Sequence, residues 1–123
     1  MYFIKLFFYL FCLGILSARI VLAVDIGTDT TINANSTERH TITDDNVTLI
    51  NNAEIDVTGG NTAIGSTQTG TTIINNTGAT IRLSGANDKA INIEDSDNNT
   101  VINSGTIISG DGQAIAIKDA DGV

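Results

Sequence analysis

The chain has 123 residues, a net charge of −8, one Cys, one His and neither Pro nor Trp. That length allows one domain at most, the acidity disfavours a phosphate-backbone partner, and a lone Cys excludes an internal disulfide framework. Every aromatic residue (Tyr2, Phe3, Phe7, Phe8, Tyr9, Phe11) lies near the N-terminus, so any core built later must be aliphatic.

Residues 1–23 read as a secretory signal peptide. Lys5 charges the start, residues 6–16 form an apolar run of 11, and Val21-Leu22-Ala23 offers small or aliphatic side chains to a signal peptidase. Arg19 ends the apolar stretch short of the roughly 20 residues that span a bilayer, which argues against a membrane anchor. Phe11 before Cys12 is too bulky for lipoprotein processing. Cleavage would leave residues 24–123, with 14 acids against four bases (Arg39, Arg82, Lys89, Lys118) and a net charge of −10. Stability must then come from burial and backbone pairing without any covalent staple.

Residues 24–46 are the least regular part. Thr30-Thr31-Ile32 and Thr41-Ile42-Thr43 have the β-branched character of short strands. Between them runs a polar stretch that holds the only His, His40. The expectation here is an N-terminal cap, because the end unit of a stacked array is atypical, and His40 is expected in a surface turn.

Residues 47–123 repeat. Thr72-Ile73-Ile74-Asn75, Gly78-Ala79-Thr80-Ile81 and Ala90-Ile91-Asn92-Ile93 return as Thr100-Val101-Ile102-Asn103, Gly105-Thr106-Ile107 and Ala114-Ile115-Ala116-Ile117. A weaker copy precedes them, as Thr48-Leu49-Ile50-Asn51, Glu54-Ile55-Asp56-Val57 and Ala63-Ile64. Ile55/Val57, Ile81/Leu83, Ile91/Ile93 and Ile115/Ile117 are aliphatic pairs two residues apart, so each pair shares one face of a strand. Three short strands in a unit of roughly 24–28 residues suit one rung of a parallel β-helix, stacked on its neighbours at ~4.8 Å. About three to four rungs follow from the length. The pattern predicts that Ile81, Leu83, Ile91, Ile93, Ile107, Ile115 and Ile117 are buried. It also predicts that Asn51, Asn75 and Asn103 stack as a ladder at a tight turn suited to left-handed backbone. It does not say which way Ile50, Ile74 and Ile102 point.

Asn76-Thr77-Gly78-Ala79-Thr80-Ile81, Asn103-Ser104-Gly105-Thr106-Ile107 and the Gly112-x-Ala114-Ile115 stretch resemble the passenger-domain repeats of bacterial autotransporters. The resemblance covers about residues 47–123. It implies a right-handed parallel β-helix (β-solenoid) exported behind a signal peptide. The partners it implies are the outer-membrane export machinery and a ligand on a host or neighbouring cell. The implied location is the bacterial cell surface, the outer membrane or the medium. The translocator barrel of that family, with its amphipathic strands and aromatic girdles, has no counterpart in this sequence, so the chain reads as the first part of a longer protein. A β-helical carbohydrate-active enzyme with its site beyond residue 123, or a truncated reading frame, are the alternatives.

No catalytic, cofactor-binding or metal-binding residue is assigned, and the chain is not expected to be an enzyme. His40 has no Cys or Ser-Asp arrangement to serve. The acids fall singly on strands (Glu54, Asp56) or in turns (Asp44-Asp45, Glu94-Asp95, Asp97, Asp119, Asp121). Asp95-Ser96-Asp97-Asn98-Asn99 and Asp119-Ala120-Asp121-Gly122 supply hard oxygens at calcium-like spacing. Thr100 and Thr106 stand where the first loop would need Gly and Glu, so ordinary solvated turns are expected. The last strand-like piece, 114–118, has no successor and no Pro. Self-association through an open strand edge is therefore expected.

Overall fold

The computed structural model describes residues 23–85 and 88–118. The segment expected to be a signal peptide (apart from Ala23) and the acidic turn expected at Asp119 and Asp121 lie outside them. Twelve short strands and no helix make up these residues: β1 (Ala23–Ile26), β2 (Thr30–Ile32), β3 (Arg39–Ile42), β4 (Thr48–Asn51), β5 (Glu54–Thr58), β6 (Thr62–Ser66), β7 (Thr72–Asn75), β8 (Thr80–Ser84), β9 (Lys89–Glu94), β10 (Thr100–Asn103), β11 (Thr106–Ser109) and β12 (Gln113–Lys118). All their pairings are parallel.

The strands visit three sheets in rotation. A five-stranded sheet has the order β1-β3-β6-β9-β12, a four-stranded sheet β10-β7-β4-β2, and a three-stranded sheet β11-β8-β5. Three rungs contribute a strand to each sheet: β3–β5, β6–β8 and β9–β11. β1 and β2 form a shorter first rung, closed by a bridge from Ser36 to Ile55, and β12 lies over β9. The fold is a parallel β-helix. Residues 24–46 thus supply a first rung and the opening strand of the second. Tighter turns let Val24 pair with His40, 16 positions apart, where Asn75 and Asn103 are 28 apart. The missing turn residues explain why this rung does not read as a repeat.

Register places like over like. Leu49, Ile73 and Val101 form one inward column; Ile55, Ile81 and Ile107 another; Val57 and Leu83 lie beside it. In the five-stranded sheet, Ile64, Ile91 and Ile115 stack, and Ile93 lies under Ile117. Leu49, Ile55, Ile73, Ile81, Leu83, Ile91 and Ile93 are fully buried. Burying each such side chain contributes about 1.5–3 kcal/mol, and flat aliphatic columns fill the narrow interior without aromatic residues.

The burial expectation fails for two residues and holds only in part for a third. Ile115 and Ile117 are 39% and 43% exposed, and Ile107 is half-buried. They occupy the predicted inward columns, but no described strand lies on their far side. At this end of the stack the described residues provide no second rung to cover the columns.

Left-handed backbone falls in a different place from the one expected. Asn46 (φ 59°), Gly70 (φ 72°) and Asn98 (φ 56°) hold it, stacked at the corner before the four-stranded sheet. Asn46 N donates to Thr69 O, and Gly70 N to Asp97 O. A Cβ on Gly70 would run into Asn46 Oδ1. The ladder residues Asn51, Asn75 and Asn103 keep ordinary strand geometry. The neighbouring turn takes its positive φ at Gly78 instead, at 83°.

Candidate functional site

The outer face of the four-stranded sheet is built from three ranked columns. Thr48, Thr72 and Thr100 are in register, as are Thr31, Ile50, Ile74 and Ile102. Because strand side chains alternate and Leu49 and Ile73 are inside, the Ile column points outward, which answers the question the sequence left open. Ile50 and Ile74 are half-buried, and Ile102 is 48% exposed.

Asparagines form the third column. Asn76 Nδ2 donates to Asn52 Oδ1 at 2.6 Å, and Asn52 Nδ2 to Asn33 Oδ1 at 2.8 Å. This exposed ladder runs beside the buried one, in which Asn51 Nδ2 donates to Asn75 Oδ1 and Asn75 Nδ2 to Asn103 Oδ1, both at 2.9 Å. The two ladders donate in opposite directions along the stack. The sequence reading found the buried ladder and missed the exposed one. Its signal was the doublets Asn51-Asn52 and Asn75-Asn76, where the second Asn falls on the opposite face from the first.

No Asp, Glu, Lys or Arg occurs in residues 30–33, 48–52, 72–76 or 100–104, which make this face. Charged residues lie instead in the turns and on the other two outer faces. On the three-stranded sheet Asp56 and Arg82 are register partners, with Arg82 Nε 4.0 Å from Asp56 Oδ1 and both side chains well exposed. On the five-stranded sheet Arg39 lays its guanidinium beside Gly65, and Lys89 Nζ donates to Glu94 Oε1 at 3.1 Å.

Asp45, Glu94 and the 95–99 turn have structural roles. Asp45 Oδ1 accepts Thr69 N at 2.8 Å, tying one turn to the next rung. Hydrogen bonds from Lys89 and then from Asn92 hold the Glu94 carboxyl below its ordinary range, opposite to the raised value a general acid needs. In the Asp95–Asn99 turn, Asn99 Nδ2 donates to Ser96 Oγ at 2.9 Å and Asn99 Oδ1 accepts Thr71 N at 2.8 Å. Ser96 and Asn99 are buried, so this turn is less solvated than expected, and the Asn99 oxygen is taken by a backbone N–H. Among the described residues no group of three or more His, Cys, Asp or Glu is placed to hold a metal ion.

His40 corrects an expectation. It is buried, at 5% exposure, rather than in a surface turn. It sits on β3 between Val24 and Ile64 in an inward column. The short first rung brings what looked like a polar turn into the strand, and alternation turns the imidazole inward.

No family model, curated protein or solved structure matches the chain.

Proposed function

We propose that this chain is an exported adhesive β-solenoid, the N-terminal part of an autotransporter-like passenger, held at the cell surface or released. Its contact surface on this reading is the outer face of the four-stranded sheet. The observation that carries the proposal is a charge-free Thr/Ile/Asn array on a chain whose residues 24–123 have a net charge of −10. The fold does not require an aliphatic residue in this outward column, since Thr31 occupies it in the first rung. A contiguous outward apolar stripe, half-buried at Ile50 and Ile74 and exposed at Ile102, and rimmed by hydroxyls and amides, has the character of an interaction site. The absence of charge suits a neutral partner, such as the uncharged glycans or polar protein surface of another cell. The N-terminal segment supports export by its pattern of Lys5, apolar run and Val21-Leu22-Ala23.

The test joins both halves. The chain is expressed with residues 1–23 in a Gram-negative host, and the product is sequenced from its N-terminus, with Val24 expected first. The exported protein is then applied to cell monolayers and to arrays of neutral glycans, beside the Ile50→Lys/Ile74→Lys variant. Retention of the parent and loss of the variant, at equal melting temperature, is the expected result. Equal retention of the two would remove this face from the reading, and a cytoplasmic product that keeps residues 1–23 would remove export.

A further inference from the structure

His40 is the only histidine of the chain, and it is placed where burial outweighs the one charge that would favour its protonation. Its ring lies in the column Val24, His40, Ile64, Ile91, with aliphatic side chains one rung below and above. Nε2 is 3.2 Å from Ser36 Oγ, while Nδ1 is buried with no partner. Ser36 is itself a structural joint. Its N donates to Glu54 O and its O accepts Asp56 N, both at 2.8 Å, and its Oγ accepts Glu38 N at 3.1 Å. The imidazole therefore props the residue that closes the first rung onto the second.

We propose that His40 is an acid-sensitive latch for the first two rungs, so that its protonation opens the N-terminal end of the solenoid while later rungs stay wound. An imidazolium must donate from both nitrogens. Here only Ser36 is within reach, so Nδ1–H would be a buried, charged donor without an acceptor, which is costly. The charged groups around the ring do not supply one. Glu38, two residues away, exerts a pull that partly favours the charged form, but it makes no contact with the ring. Asp25 and Arg39 sit one residue from the inward positions of β1 and β3, and so point outward. Glu54 and Asp56 meet Ser36 through their backbones, and their side chains lie on the outer face of β5. On β6 the flanking inward residues are Thr62 and Ser66. Because each rung contacts only its neighbours, an end rung can open without unwinding the stack.

The sign follows from burial, which lowers the pKa of His40 from its ordinary 6.5 against the smaller opposing pull of Glu38. The open state therefore binds the proton more readily than the closed one. Stability of these rungs is fully present above about pH 6.5 and declines as pH falls toward the closed-state pKa. The device is independent of the adhesive reading and survives its failure.

Hydrogen exchange of the whole exported chain, corrected for intrinsic rates, tests the latch from about pH 7.5 to about pH 4.5. The opening constant of residues 24–42 is expected to rise toward tenfold per pH unit, the one-proton limit, while residues 73–93 stay protected. In His40→Leu, which fills the column without titrating, that rise should vanish. A rise of the same size in His40→Leu would assign the effect to carboxylates and overturn the proposal. If that variant loses the rung even at neutral pH, the imidazole resonance of the parent decides, since it is the only one. Titration below pH 6.5 in step with lost protection sustains the latch. Titration at or above pH 6.5 with residues 24–42 still protected refutes it.

Discussion

At the scale of single residues, the two asparagine ladders ask the same side chain to do unequal work. Asn75 is fully buried. Its Oδ1 accepts from Asn51, and its Nδ2 donates to Asn103 Oδ1 and to Thr106 O at 3.1 Å. Replacing the amide by a carboxylate keeps the first bond and turns the other two into acceptor facing acceptor, with a charge in the core. Asn75→Asp should therefore cost several kcal/mol, of the order of about 3 or more. Asn76 is one position on, in the ladder that water reaches. There the freed groups can be hydrated, and Asn76→Asp should cost about 1 kcal/mol or less. Chemical denaturation of the two variants checks the difference. Equal costs would mean that the buried ladder is not the one holding the corner.

At the scale of elements, corners set the rung as much as strands do. Gly70 has its left-handed φ between Asn46 and Asn98, and its missing Cβ leaves room for Asn46 Oδ1. Gly70→Ala carries a backbone cost of about 1–3 kcal/mol plus the collision. In an Asn46→Gly background only the backbone cost remains, so a double-mutant cycle of melting free energies should show a favourable coupling. Strict additivity would place the whole cost in φ. These corners also mark what the sequence could and could not reveal. The strands, their register and the buried Asn ladder were legible because stacking forces the same residue type to recur at each rung, as Ile81 and Ile107 do. The outward Ile column was not, since Thr-Ile-Ile-Asn puts aliphatics on both faces and alternation alone cannot say which one meets the core. The left-handed positions were hidden because Asn46, Gly70 and Asn98 satisfy one backbone requirement with two residue types. His40 was misplaced because the first rung has no longer copy to be aligned with. The uncharged face needed the register before its columns could be seen at all.

At the scale of the whole molecule, stability and association are set by how many rungs have a neighbour on each side. A solenoid gains roughly one interface per added rung and pays the ordering of each one, so an array of three to four is close to the minimum. Among the described residues the exposed large aliphatics are Ile102, Ile115 and Ile117, all in β10 and β12. Ile115 and Ile117 present core columns there rather than a surface pattern. Among the described residues β12 is an edge of the five-stranded sheet, and an edge strand is a template for pairing with another chain. The isolated chain of residues 24–123 is therefore expected to associate as its concentration rises. Ile115→Lys/Ile117→Lys should return it to monomer, since charge on an edge opposes pairing. The double variant should lose little melting temperature, because neither side chain is fully buried. Size-exclusion chromatography with light scattering across a dilution series, read beside a thermal melt, decides the matter. A parent that stays a monodisperse monomer at every concentration, with a sharp cooperative melt, would show that β12 closes the stack unaided.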